Sequence, residues 1–383
     1  MRSGIDDVLR QAIQAAGLTG AVAMAATREG MIHSLAVGER EHGAAMEFNS
    51  VARIASMTKA ITSLLALRLV ERGLLDLDDP ICDVLTELTE PMVFERFGVD
   101  GRPILNPGRT LVTLRHLLTH TAGYGYDTWN QPMGHIQATL QLPRIPTSSD
   151  ELRRMPLLFE PGTHWNYGIN TDIVGRACEV VTGMRLDELI RTEITEPLGM
   201  TDTMFLPGAE QEARRMAVHQ RGPEGSLMRL DLTVATELPF LAGGGMLYST
   251  AQDYLKFLQA VLSGKILGPE MFEALTTAQT GEIDMVPMIS SVPSMSNDVV
   301  LYPDQALKWS LGFMVNTEIT AEGRSAGGLA WAGLYNSYYW IDLQRGVCGL
   351  FMTQLLPFAD PATLHAFRAY EKAIYDSLSN AVA

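Results

Sequence analysis

Cysteine, lysine and long apolar runs are all scarce in this chain, and each scarcity excludes something. Three cysteines, Cys82, Cys178 and Cys348, lie far apart in 383 residues. Odd in number and widely spaced, they match neither a disulfide framework nor a metal site; they read as reduced core residues in the cytoplasm. No basic run offsets the net charge of −15, which argues against nucleic acid and anionic membrane as partners. The uncharged stretch Gly346 to Ala359 is too short to cross a bilayer and contains a proline. Met1 to Gly17, with Asp6 and Asp7, lacks the basic start and apolar run of a signal peptide. What remains is a globular chain, 46% hydrophobic, whose length alone suggests two or three domains.

Because only five lysines occur, one position stands out: Lys59 is the single lysine with a serine three residues before it. In Ile54-Ala55-Ser56-Met57-Thr58-Lys59, helical spacing puts Ser56 and Lys59 on one face. Ala60 to Val70 follows, apolar nearly all round, as in a helix buried in a core. A lysine there is costly unless paired or deprotonated. A deprotonated lysine beside a serine hydroxyl is a base beside its nucleophile. The plain alternative makes Ser56 an N-cap and Lys59 a solvated first-turn residue, although a cation there opposes the helix dipole.

The order of elements predicts the architecture. Ile5 to Ala16 has helical periodicity closed by Gly17, and Gly20 to Thr27 with Met31 to Val37 reads as a hairpin. Val51 to Ile54 reads as a short strand leading into Ser56. The middle holds a capped helix over Thr113 to His120, helices over about Thr171 to Thr182 and Leu186 to Ile194, and long irregular stretches, Leu74 to Pro107 and Tyr124 to Met155. Thr250 to Ser263 is helical, and Met285 to Asn297, rich in Met, Pro and Ser, reads as a mobile flap or loop. Strands return over Ser310 to Ile319, Tyr335 to Asp342 and Val347 to Thr353, before a terminal helix, about Pro361 to Leu378. This order predicts one α/β (α+β) domain from residues 1–75 and 240–383, interrupted by a mainly helical domain over 76–239. The site is expected at their seam.

Two later stretches carry further chemistry. In Trp165-Asn166-Tyr167-Gly168, Tyr167 precedes a helix, and a phenol of pKa about 10 becomes a usable base beside a cation such as Lys59. In Trp331-Ala332-Gly333-Leu334-Tyr335, small residues on a late strand can aim N–H groups into a cleft. Tyr124, Tyr126, Trp129, Phe240, Met285, Met288, Trp331 and Tyr335 can line an apolar acyl pocket or simply pack. Gly323-Arg324-Ser325-Ala326-Gly327 matches G-x-S-x-G, but an elbow needs a strand before the serine and a helix after it, and here glycines and a strand follow. His116 and His120 stand four apart without an H-E-x-x-H pattern or third ligand, so no metal is read here.

In order, Ser-x-x-Lys, Tyr-Gly and Trp-x-Gly resemble the serine β-lactamase and penicillin-binding superfamily, nearest its class C-like branch, the family VIII carboxylesterases and related acyltransferases. Leu114-Arg115-His116-Leu117-Leu118-Thr119-His120-Thr121-Ala122-Gly123, Glu160-Pro161-Gly162 and Gly243-Gly244-Gly245-Met246 extend the likeness. The resemblance implies an antiparallel sheet flanked by helices, Ser56 as nucleophile, and Lys59 and Tyr167 as proton-transfer partners. It also implies an oxyanion hole from the backbone N–H groups of Ser56 and Leu334, with Trp331 and Gly333 facing substrate. No cofactor is implied. Two departures matter: Ile169 stands where Tyr-x-Asn is usual, and Trp331-Ala332-Gly333 replaces the cationic Lys-Thr-Gly-like triad. A neutral ester or acyl thioester is therefore the expected substrate. Acyl transfer to an alcohol, β-lactam or D-amino-acid peptide hydrolysis, and a silent acyl-binding sensor are the alternatives.

Overall fold

The computed structural model describes residues 2–233, 237, 238 and 240–380. The domain boundary read at residue 239 lies outside the described residues.

Strands from both ends of the chain build one eight-stranded antiparallel sheet. Helix α1 (Arg2–Ala15) precedes β1 (Gly20–Thr27), β2 (Gly30–Glu41) and β3 (Ala44–Ala45). Far downstream come β4 (Leu307–Trp309), β5 (Met314–Asn316), β6 (Leu329–Gly333), β7 (Ser337–Asp342) and β8 (Val347–Met352). The order across the sheet is β4-β5-β6-β7-β8-β1-β2-β3. The two halves join where Val22 faces Met352 and Thr27 faces Val347. This is the antiparallel, helix-flanked sheet that the family resemblance implies.

Strands β7 and β8 are buried along their whole length, so both faces need cover. Neighbouring strand residues point to opposite faces. Tyr339 packs on Tyr254 of the helix Ala251–Ser263, with ring centroids 5.3 Å apart. Trp340 packs on Tyr370 of the helix Pro361–Asn380 at 5.8 Å. These two helices therefore cover opposite faces. Thr250 caps the first of them by accepting a hydrogen bond from the Asp253 N–H.

The serine segment enters between these layers. Val51–Arg53 pairs antiparallel with Tyr248–Thr250 and delivers the chain to helix α2 (Thr58–Glu71). Thr58 through Leu67 are all buried, matching the apolar pattern of that helix. Helix α3 (Asn170–Thr182) packs beside it.

Regions read as irregular contain short elements. Met92–Phe97 and Pro103–Pro107 pair as a ribbon, and Gln131–Leu140 and Ser149–Arg154 are helices. Asn130 caps the first helix by accepting from the Met133 N–H, with Pro132 in its opening turn. That capping signal was legible, but Gly134 and the short apolar pattern obscured it. The strand expected over Ser310 to Ile319 is present only as β5; Ser310 to Phe313 turn the chain back from β4, because the Ser310 hydroxyl accepts from the Gly312 and Phe313 N–H groups. Met285 to Asn297, expected as a mobile flap or loop, is a loop tied down at several points. Ser291 N–H donates to the Thr128 carbonyl, the Trp129 indole N–H to Ser296 Oγ, and Asn297 N–H to the Phe358 carbonyl.

Candidate active site

Ser56 lies in a single 3-10 turn, Ala55–Met57, that runs into α2. Ala55 before it has φ of +44°, a left-handed value that costs an alanine energy and re-aims the next residue. No side chain caps either helical segment, so the Ser56 hydroxyl is not consumed as an N-cap. Ser56 is half-buried, whereas Lys59 is only 1% exposed. The amine points inward and donates to Ser56 Oγ at 3.4 Å, Tyr126 Oη at 3.1 Å and the Gly244 carbonyl at 2.7 Å.

The phenol hydrogen-bonded to Lys59 is thus that of Tyr126, which the sequence pointed to only as pocket lining. Tyr167 meets the same amine with its ring face, 4.8 Å from Nζ to the centroid. The two phenols differ in engagement. Tyr126 donates its proton to Asp172 Oδ2 at 3.1 Å, and burial pushes its hydroxyl far above the ordinary tyrosine range, with Asp172 adding to the rise. The Tyr167 oxygen instead accepts the Trp331 indole N–H at 3.1 Å.

The third stretch meets the first through a glycine. A Cβ on Gly333 would lie 2.4 Å from the Ile54 carbonyl oxygen, so only glycine lets β6 close on the serine turn. This sets Leu334, the next residue, beside that turn. Among the described residues, neither the Ser56 nor the Leu334 N–H is used in a turn, loop or cap hydrogen bond.

Of the other residues singled out, Tyr335 lines an open groove of ≈ 560 Å³ with Arg53, Phe205, Gly245 and Tyr248. Trp331 is buried, its polar edge on Tyr167 and its ring against Trp309. The Tyr124 phenol is buried at 1% exposure, and it is the Tyr124 carbonyl that meets the tyrosine loop at Gly168. His116 caps its own helix by accepting from the Thr113 N–H. Ser325 sits between β5 and β6, its N–H donating to Asp342, so the G-x-S-x-G stretch is a connection and not an elbow.

Sequence reasoning missed Asp172 and His120 as members of the site. The fully buried Asp172 carboxyl is raised by burial, with Lys59 and the Gly244 N–H bond opposing the rise. His120 packs on Tyr167 and Trp309, its Nδ1 2.8 Å from the Asn170 side-chain nitrogen. Asn Nδ2 donates, so this His120 nitrogen accepts and the ring is neutral. Burial holds its pKa well below the ordinary value of 6.5, and the charge of Lys59 adds to the drop. The unfolded chain therefore binds a proton near pH 6.5 that the fold refuses. Stability is whole above that pH and falls by about 1.4 kcal/mol per pH unit below it from this residue. Urea midpoints measured at pH 7.5 and 5.5 are expected to differ more for the wild type than for His120→Gln; equal slopes would remove this account.

Comparison with known proteins places the chain in a family. The Beta-lactamase family model matches residues 5–373. The ML-236A carboxylate methylbutanoyltransferase mlcH of Penicillium citrinum is 29% identical, over 99% of this chain and 95% of its own. Esterase EstB of Burkholderia gladioli is 30% identical, over 91% of this chain and 89% of its own. A simvastatin synthase structure, the LovD6 mutant from Aspergillus terreus, superposes with a TM-score of 0.85 at 29% identity, covering 98% of this chain and 95% of that one. With the family model matched over nearly the whole length, the chain belongs to the Beta-lactamase family.

Proposed function

We propose that this protein is a serine ester hydrolase that cleaves small apolar carboxylic esters through an acyl-enzyme on Ser56. One observation carries the reading: a half-exposed, uncapped hydroxyl receives a hydrogen bond from a buried amine. Ser56 Oγ attacks the acyl carbonyl and gives its proton to the Lys59–Tyr167 pair. The Ser56 and Leu334 N–H groups hold the oxyanion, each worth about 3 kcal/mol in the transition state. The pair returns the proton to the departing alcohol. Water, delivered in the reverse sense, then releases the acid.

A second reading differs only in the acceptor. An alcohol in place of water makes the protein an acyltransferase, a reading favoured by the likeness to a methylbutanoyltransferase as well as to an esterase. β-Lactam hydrolysis is disfavoured because Trp331, a neutral side chain, stands where a cation would bind the antibiotic's carboxylate. We assign residues 76–239 to an inserted helical domain and the rest to the sheet domain, with the site at the seam. Three free cysteines, two of them buried, favour a cytoplasmic location. Among the described residues, no helix is long and apolar enough to cross a membrane.

The test is a substrate panel. Short-chain p-nitrophenyl esters are expected to give kcat/KM at least about 100-fold above nitrocefin, the scale of losing one charge-assisted contact. A preference for nitrocefin would reverse the assignment. Adding a small alcohol and measuring new ester against free acid separates the two acceptors.

A further inference from the structure

Lysine carries three ammonium hydrogens, and each of those on Lys59 has one acceptor: Ser56 Oγ, Tyr126 Oη and the Gly244 carbonyl. The last two acceptors are gripped by the same carboxylate. Asp172 Oδ2 takes the Tyr126 hydroxyl proton at 3.1 Å, and Oδ1 takes the Gly244 N–H at 2.8 Å. Asp172 is 3% exposed at the start of α3, so it holds both partners from inside the core. A Cβ on Gly244 would lie 2.8 Å from both carboxylate oxygens, so the fit admits no side chain there. Asp172 makes no direct ion pair with Lys59 and no hydrogen bond to Ser56.

We propose that Asp172 is the positioning residue of this site, fixing two of the three Lys59 hydrogens through Tyr126 and the Gly244 peptide so that the third is aimed at Ser56, and supplying the buried counter-charge to the amine. The inference rests on the acyl-enzyme reading above. The groups facing the amine are few. Tyr167 presents its ring and Tyr126 its hydroxyl. His120, from the end of its helix, is held neutral by burial. Asp172 is thus the one carboxylate bonded into this network among the described residues. On its far side a small cleft separates it from Glu87 and Arg176. An amine without a counter-charge gives up its proton more readily, so loss of the carboxylate changes the pH at which the base becomes available.

The experiment uses the full-length protein, with kcat and KM for p-nitrophenyl butyrate measured across pH and with labelling of Ser56 by a phosphonate read by mass. Asp172→Asn keeps the shape and removes the charge. It is expected to lower kcat at pH 8 by about 10-fold or more, the scale of a mispositioned proton-transfer group, with KM changed less than about twofold. Its acid limb in kcat/KM is expected about one unit lower, the usual effect of one neighbouring opposite charge. Tyr126→Phe keeps the charge and cuts one bridge. It is expected to lower kcat while the acid limb stays with the wild type. A structural role alone would lower the fraction of active protein and leave that limb in place, so Asp172→Asn with an unmoved limb overturns the proposal. So does Tyr126→Phe with unchanged kcat, which decides the matter if Asp172→Asn does not fold. A wild type that the phosphonate does not label at Ser56 sinks the acyl-enzyme reading and this proposal together; labelling with an unmoved limb sinks only the latter.

Discussion

Ser56→Ala is expected to lower kcat on p-nitrophenyl butyrate by about 10⁴-fold or more, as removal of a catalytic serine does elsewhere, and to leave the fold intact. The hydroxyl is half-buried and caps no helix, so its loss leaves no orphaned N–H and no cavity worth more than a methyl-sized gap. The same variant is expected to lose phosphonate labelling altogether. Ser325→Ala, in the competing G-x-S-x-G stretch, is expected to turn over as the wild type does. Its N–H bond to Asp342 survives the change, since it belongs to the backbone. Appreciable turnover by the Ser56 variant, or collapse of the Ser325 variant, would put the chemistry elsewhere. A wild type that binds the phosphonate without covalent attachment would revive the silent acyl-binding alternative.

The second large effect lies far from the serine. Arg324 and Glu371 form an ion pair in which neither side chain is exposed, 0% on both sides. Two parallel bonds, 2.8 and 3.1 Å, join them, and Tyr302 accepts a third hydrogen from the guanidinium. Burial pushes the Glu371 carboxyl up, Arg324 opposes that rise, and the partner holds the guanidinium charged. Glu371→Gln leaves a buried charge without its counter-ion, and is expected to cost about 3–5 kcal/mol of stability. The double replacement Arg324→Met with Glu371→Leu is expected to recover most of that loss, because removing both charges also removes both desolvation penalties. Chemical denaturation of the three proteins checks this. A single variant within about 1 kcal/mol of wild type, inside the range of an exposed pair, would mean that water reaches the pair. This pair fastens the connection between β5 and β6 to the terminal helix, and β6 carries Trp331 and Gly333.

Some of this was written in short stretches of sequence, and some was not. Helix α2 was legible because its residues are apolar on every side, a pattern that survives only in a core. The Tyr167 loop and β6 were legible as local signals, glycine beside tyrosine and glycine ending a strand. Two stretches were legible only in part. Ser310 turns the chain with its own hydroxyl, and the coil at 285–297 is held by partners such as Thr128 and Phe358 that no neighbouring residue announces.

The exchange of partners around Lys59 shows where local reading stops. Tyr126 and Tyr167 are 41 positions apart, and both rings lie near one amine. Nothing in either stretch says which oxygen accepts from it, because that depends on Asp172 holding one and Trp331 donating to the other.

By itself the sequence determined the class of chemistry: a serine three residues before a rare lysine, on a helix too apolar to face water. It also determined that this helix is buried, since burial follows from composition and period alone. Only the tertiary structure decided which phenol bonds the amine, which carboxylate steadies it, and why a strand ending in Gly333 can reach the serine turn. These depend on separations of a few ångströms between groups up to 279 residues apart, and hydrogen bonding and close packing have no counterpart in residue order.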